Sequence, residues 1–248
     1  QWQDARQPPR KAMVNYWSFF KQILAPSTCL LCQAAAPSQH PLCDGCLPDL
    51  PWNLHSCERC GIPLPPELLL CGECRPRPPP QQFTIAPLRY VFPVDSLIAG
   101  FKFHRQLAHT PLLSHILLEA IQAADRPLPQ LVIPVPLHLR RLAERGYNQS
   151  LELARPIAKS LSLPLETRLI QRTRHTKAQR TLNARTRQRN LERAFAVDTQ
   201  RLEQLHFPAH VALVDDVLTT GATVGAIASL LQRHGVTDID VWCVARTP

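Results

Sequence analysis

Glycine is scarce in this chain, 8 residues in 248 against 25 prolines, a balance that makes for stiff connections. Acids are in short supply too. Asp and Glu number 19 against 28 Lys and Arg, leaving a formal net charge of +9 and a pI near 9.4. That balance favours anionic partners, either nucleic acid or phosphorylated metabolites. No run approaches the roughly 18 apolar residues a membrane span needs, which argues against stable membrane insertion. The N-terminal region also lacks an export signal, an apolar core followed by a small-residue cleavage site. Cysteines are therefore read as reduced thiols, and disulfides are set aside. Methionine occurs once, at Met13, which is the candidate native start. Residues 1–24 are read as an extension whose apolar, aromatic part, Val14 to Leu24, forms a short helix packed on the next module. Hydrophobic content is nevertheless 45%, with a mean hydropathy of −0.14, enough for a core in a soluble protein.

What the chain does have is cysteine in a regular array. Eight of nine form C-x-x-C pairs: Cys29/Cys32, Cys43/Cys46, Cys57/Cys60 and Cys71/Cys74, whose first members recur every 14 residues. Two thiolates separated by two residues turn back onto one ion, and tetrahedral zinc needs two such knuckles. Four knuckles predict two structural four-cysteine zinc sites within residues 25–75. We expect sequential ribbons, pairs one and two on one ion and pairs three and four on the other, although cross-bracing meets the same spacing. Cys243 stands alone in an apolar run and reads as a buried strand residue.

After Cys74 comes Arg75-Pro-Arg-Pro-Pro-Pro80, a semi-rigid spacer, and residues 76–86 are read as linker. From 87 to 248 strands alternate with helices, the signature of an α/β fold. Strands are expected at Leu88–Phe92, Leu131–Pro136, Leu165–Gln171, Val211–Val214 and Ile239–Val244. Helices are expected from Asp95, over Pro111–Ala123, near Ser150–Ser160, around Leu182–Leu191 and over Val224–Leu231.

The most informative stretch is Val211-Ala-Leu-Val-Asp-Asp-Val-Leu-Thr-Thr-Gly-Ala-Thr223. A buried strand ends in two carboxylates, and a small-residue loop and a helix follow. Ligands of open parallel sheets bind beyond the carboxyl ends of the strands. Loop N–H groups and a helix N-terminus suit a phosphate, while paired acids suit a vicinal diol or its metal. Together they suggest a ribose 5-phosphate with a free diol. The order of features resembles the motif with which type I phosphoribosyltransferases hold phosphoribosyl pyrophosphate (PRPP). In that reading Asp215 and Asp216 face the ribose hydroxyls and magnesium. Val217, Leu218, Thr219, Thr220, Gly221, Ala222 and Thr223 wrap the 5-phosphate, with Gly221 permitting close backbone approach. An N-cap plus an ordinary Thr-Gly turn is the plainer alternative.

Two basic segments could meet the rest of such a ligand. His138 to Gly146 is read as a loop carrying Arg140, Arg141 and Arg145, with Arg140 and Arg145 the candidates for pyrophosphate. Arg168 to Arg193 holds eight arginines and Lys177 against Glu192 alone. It is read as a lid over a reactive centre or as a track for single-stranded DNA, carried by Lys177, Arg180, Arg185, Arg187 and Arg189. Phe101, Phe103 and Tyr147 are the candidate stacking platforms.

The four knuckles, Phe101-Lys-Phe-His-Arg105, Pro134-Val-Pro136 with Arg145-Gly-Tyr-Asn-Gln149, the Thr173/Gln179/Leu182/Arg185/Arg189/Asn190 pattern and the Val211–Thr223 motif together resemble the ComF family, and within it the GntX-like members. The resemblance covers about residues 14–247. It implies a type I phosphoribosyltransferase fold, a parallel sheet flanked by helices, preceded by a double zinc ribbon. It further implies DNA uptake or use of external DNA as nutrient at the cytoplasmic side, with PRPP, single-stranded DNA and a helicase-like translocation protein as partners. An active phosphoribosyltransferase with a small acceptor and a PRPP-sensing regulator are the alternatives. A glutamine-dependent amidotransferase is disfavoured, because no N-terminal cysteine nucleophile or glutaminase domain is present. Ala222 stands where Gly or Ser is commoner in the motif, and is small enough to let a phosphate approach.

Overall fold

The structure, a computed structural model, describes residues 28–36, 41–103, 106–173 and 194–248. The chain divides into two compact units, 1–48 and 49–248. In the first, Thr28 and Ala35 form an antiparallel bridge that closes the turn after Cys29. Gln33 takes a left-handed φ of 62° there, and its N–H donates to the Cys29 carbonyl at 2.9 Å.

The second unit is built on one parallel sheet. Its strands are β1 (Phe83–Ile85), β2 (Leu88–Arg89), β3 (Leu131–Pro134), β6 (His210–Leu218) and β7 (Asp238–Arg246). The order is β1-β7-β6-β3, with β2 continuing along β7 beyond β1. A separate antiparallel pair joins β4 (Ile170–Arg172) to β5 (Phe195–Val197). The helices are α1 (Val94–Phe103), α2 (Thr110–Ala123), α3 (Leu139–Arg145), α4 (Gln149–Ser160), α5 (Thr199–Gln204) and α6 (Ala222–Gln232).

Strand alternation explains the two-sided core. Leu131 and Ile133, Val211 and Leu213, and Ile239, Val241 and Cys243 share one buried cluster with Val224, Ile227 and Leu231 of α6. α2 and α4 pack on each other and on the sheet, with Leu113, Ile116, Leu117, Leu153 and Ile157 fully buried. Each such side chain stabilises the fold by roughly 1.5–3 kcal/mol relative to exposure. Both faces being covered, the central strands read as near-continuous apolar runs.

Four expectations change. The strand expected at Leu88–Phe92 shrinks to β2, Leu88–Arg89, and a further strand, β1, falls inside the stretch read as linker. Asn53 explains the break between β1 and β2: its side chain donates to the Ala86 carbonyl at 3.0 Å and its backbone N–H to that of Pro87 at 2.8 Å. The strand expected at Leu165–Gln171 is only Ile170–Arg172, in the separate antiparallel pair. His138–Gly146 is a helix, α3, and not a loop. The His138 ring accepts from the Arg140 N–H at 3.1 Å, and Gly146 closes the helix at φ 84°. β6 runs past the acids to Leu218 and so exceeds Val211–Val214. The helix expected at Leu182–Leu191 lies outside the described residues.

The second ribbon belongs to the same compact unit as the sheet. Thr84 donates its N–H to the Glu58 carbonyl at 2.7 Å and its hydroxyl to that of Arg59 at 2.7 Å. Gly61, at φ 68°, lies so close to β1 that an added Cβ would stand 2.9 Å from Thr84 Cγ2.

Candidate functional site

Asp215 and Asp216 lie in β6 just beyond Val214, its last pair with β3, while pairing with β7 continues to Leu218. Asp215 Oδ1 accepts from the Ser150 hydroxyl at 3.0 Å and from the Asp216 N–H at 2.9 Å. Ser150 is brought there by α4, whose N-cap Asn148 accepts from the Ser150 N–H at 3.1 Å. Asp216 is buried, and its Oδ1 pairs with Lys102 Nζ of α1 at 3.0 Å. Burial, and then the charge of Asp216, push the Asp215 carboxyl up to about 7, against the weaker pull of Lys102 and Ser150.

Of the expected phosphate loop, Val217 and Leu218 are strand residues paired with Ala245 and Arg246 of β7, and the Val217 N–H donates to Asp216 Oδ1 at 2.7 Å. The turn proper is Thr219–Gly221. Thr219 and Thr220 are exposed and Gly221 takes a left-handed φ of 73° to start α6, where Ala222 and Thr223 form the first turn. The first turn of any helix carries N–H groups without intrahelical partners and a partial positive charge, so an anion is favoured here.

The cations around the acids differ from those expected. Arg140 is exposed and paired with Glu144 at 3.0 Å on its own helix. Arg145 is held at Gln149 Oε1 (2.9 Å) and lies 5.0 Å over the Phe103 ring. Burial lowers its pKa, opposed by the charge of Asp216. Arg172 of β4 is lowered first by burial and then by repulsion from Arg141, while Asp215 attracts it. Lys102, Ser150 and Arg172 were not singled out from the sequence. A lysine between Phe101 and Phe103 in an apolar helix was the available signal for the first.

Of the stacking candidates, Phe101 is fully buried, with its ring 5.8 Å from that of Tyr147, so it cannot take a base. Phe103 is exposed. Lys177, Arg180, Arg185, Arg187 and Arg189 lie outside the described residues. A cavity of about 410 Å³ is lined among others by Pro134, Pro136, Leu137, Tyr147, Asn148 and Thr167, with neither Asp215 nor Asp216 in its wall.

The cysteines gather as two sequential sets, Cys29/Cys32/Cys43/Cys46 and Cys57/Cys60/Cys71/Cys74, with the Sγ atoms of each set within 4.8 Å of one another. Cross-bracing is excluded. Cys32 and Cys43 Sγ stand 3.6 Å apart, and Cys60 and Cys71 Sγ 3.8 Å. Four sulfurs about 2.3 Å from a tetrahedral zinc would be about 3.8 Å apart, so both sets fit the ion. The electrostatics also favour a cation. Donating its thiol hydrogen to Cys32 and Cys43 raises Cys46 to about 12, and burial raises Cys60 to about 11. Cys71, despite burial, is drawn down to about 7 by the Cys74 N–H, which donates to its sulfur at 3.4 Å. Without a cation, four thiolates cannot coexist at such distances. Cys243 is buried and donates weakly to the Ile85 carbonyl at 3.6 Å, as expected of a strand residue.

A third group, His210, Asp238 and Asp240, gathers where β6 and β7 begin. Arg126 Nη2 reaches Asp240 at 3.2 Å and Asp238 at 3.7 Å, so an arginine already pairs with both carboxylates. Among the described residues no helix is long and apolar enough to cross a membrane.

These features define a class: a parallel-sheet α/β protein with an acidic strand end above a helix N-terminus, carrying a double zinc ribbon. Residues 20–75 match the family described as double zinc ribbon domain. The chain is 38% identical over 230 residues to DNA utilization protein YhgH of Escherichia coli O157:H7, covering 91% of this chain and 99% of that protein. It is 37% identical over the same length to the protein of that name from Salmonella typhi, with the same shares covered. Competence protein F of Haemophilus influenzae is 34% identical over 240 residues, 94% of this chain and 100% of its own. The chain belongs to the ComF family.

Proposed function

We propose that this protein binds PRPP, with magnesium, at the carboxyl end of β6 and β7, and handles single-stranded DNA during DNA uptake or use of external DNA as nutrient. The observation that carries the first part is the convergence on one strand end of Asp215, Asp216 and the Gly221 turn that opens α6, with Lys102, Arg145 and Arg172 around them. Two carboxylates suit the ribose diol and its metal, the helix N-terminus suits the 5-phosphate, and the cations suit the pyrophosphate. The DNA role is supported by the net charge of +9 and by the printed names of the relatives, DNA utilization protein and competence protein. Partners in that setting would be single-stranded DNA and a helicase-like translocation protein on the cytoplasmic side.

Calorimetric titration with PRPP and magnesium tests the site. Asp215→Asn with Asp216→Asn should abolish binding while two zinc ions per chain and DNA affinity are kept. Unchanged titration would sink the assignment. For DNA, neutralising Arg185, Arg187 and Arg189 should weaken binding and flatten its dependence on salt, and an unchanged slope would move the track elsewhere.

A second reading, a phosphoribosyltransferase with a small acceptor, is favoured by the cavity of about 410 Å³ lined by Pro134 and Asn148, which has room for one. Acceptor-dependent release of pyrophosphate from PRPP, lost in the double variant, would establish it. Tight binding without turnover would leave the binding role.

A further inference from the structure

Arg246, the last residue of β7, is buried, yet among the described residues no carboxylate lies within ion-pair distance of it. Its charge is held by backbone carbonyls instead. Nε donates to the Cys60 carbonyl at 2.9 Å, inside the second zinc knuckle. Nη1 donates to the carbonyls of Leu218 at 3.2 Å, Thr219 and Thr247. One rigid, planar group thus joins a metal-ligand turn to the first residues of the turn that opens α6.

The consequence follows from peptide geometry. In a planar trans peptide the N–H points opposite to the preceding carbonyl. Fixing the Leu218 and Thr219 carbonyls on Arg246 therefore turns the N–H groups of Thr219 and Thr220 away from it. Those N–H groups border the Gly221 turn where the proposed phosphate would sit. A buried guanidinium satisfied only by carbonyls tolerates little displacement of any of them, since each lost partner leaves a desolvated donor. The Cys60 carbonyl is held in place by the Cys57–Cys60 turn, in which the Gly61 N–H donates to the Cys57 carbonyl at 2.7 Å. The ion that the four sulfurs fit would close that turn.

We propose that Arg246 is a positioning residue through which the Cys57/Cys60/Cys71/Cys74 zinc site sets the geometry of the Thr219–Gly221 turn and hence its affinity for a phosphate ester. The proposal rests on the PRPP reading for its ligand but not for the coupling itself. Zinc in the second ribbon then does more than fold the ribbon: its loss relaxes an anion site on the far side of Arg246.

The test uses the full chain, zinc-loaded, with two variants. Arg246→Lys keeps a donor and a charge, but one nitrogen cannot span both sets of carbonyls. Cys71→Ser with Cys74→Ser removes the second zinc only. Arg59→Met is the control, because it breaks another contact of the same knuckle, Arg59 Nη1 to the Gln81 carbonyl at 3.1 Å, without touching Arg246. Three quantities are read: zinc per chain, amide hydrogen exchange across residues 217–222 without ligand, and PRPP affinity by calorimetry. Arg246→Lys should retain two zincs, speed exchange in 217–222 and weaken PRPP at least tenfold. The cysteine variant should do the same with one zinc, and the combined variant should add little further, because both cut one connection. Arg59→Met should leave exchange and affinity unchanged. Should a variant unfold, graded chelation of the wild type decides, with exchange in 217–222 rising as the second zinc leaves while far-ultraviolet dichroism is retained. Unaltered exchange in Arg246→Lys, or upon loss of the second zinc, overturns the proposal. If the wild type binds no PRPP, the ligand reading fails alone and the exchange data still decide the coupling.

Discussion

Replacing Asp215 by Asn should stabilise the second unit, and should do so increasingly as pH rises. In the fold its carboxyl is pushed from an ordinary value of 3.8 to about 7 by burial and by Asp216. The sign follows from linkage: a carboxyl whose folded pKa is raised is held protonated by the fold. Its contribution to stability is fully present below pH 3.8 and is lost as pH rises through 7. Each pKa unit is worth about 1.36 kcal/mol. The interval from pH 5.5 to 7 spans 1.5 units, so the penalty avoided by Asn should grow by about 2 kcal/mol and then level off. Asn suits the test because Ser150 and the Asp216 N–H both donate to Oδ1, which the amide keeps as an acceptor. Urea unfolding followed by far-ultraviolet dichroism, at constant zinc and without magnesium, measures the difference at pH 5.5, 6.5, 7.5 and 8.5. A stability difference that stays flat across this range, or a variant weaker throughout, would refute the reasoning.

Other perturbations have distinct signatures. Lys102→Met strands the buried carboxylate of Asp216, and should destabilise the unit by about 1–3 kcal/mol in the same urea assay. Its cost should shrink in the Asp216→Asn background, whereas equal costs in both backgrounds would deny the pair. Gly61→Ala forces a Cβ to within 2.9 Å of Thr84 Cγ2 at a φ of 68°, and should lower stability by about 1–3 kcal/mol, read as a fall in melting temperature. Cys57→Ser should reduce zinc from two ions per chain to one, counted by elemental analysis, with the first ribbon's ion retained.

Much of the site was legible because it is local in sequence. The knuckles announce themselves by spacing, and Val211–Thr223 carries strand, acids, turn and helix start in one run. What could not be read is what comes from elsewhere in the chain. Lys102 reaches Asp216 from a helix far back in the sequence, and no periodicity marks that pairing. Arg140 and Arg145 looked equivalent in a basic stretch, but once that stretch coils into α3 the first finds Glu144 one turn on. The second turns to Gln149 and Phe103. The end of β6 was misplaced because two adjacent acids look like the end of a strand. Here pairing of Val217 and Leu218 with β7 carries the strand through them. β1 was lost in the linker because three residues give too little alternation to be seen without the edge of β7 beside them.

The charges near the acids support the proposed ligand. Asp215 is raised by burial and by its neighbour, while Arg145 and Arg172 are lowered by burial and by repulsion from Arg141. Each charge is therefore held at a cost that a sequence optimised for stability alone would remove. If Arg145 and the two acids were simply partners, they would pair directly, as Arg126 does with Asp240 at 3.2 Å. Instead Asp215 is held by a hydroxyl and an amide, Asp216 by Lys102, and Arg145 by a glutamine. Acids and a guanidinium kept close without pairing to each other suit a ligand that carries both needs: hydroxyls or a metal for the carboxylates, phosphates for the guanidinium. A ribosyl pyrophosphate with its cation meets both, and a simple polyanion such as DNA meets only the second. Competition should show the difference, with magnesium strengthening PRPP binding at this site and weakening that of a short single strand.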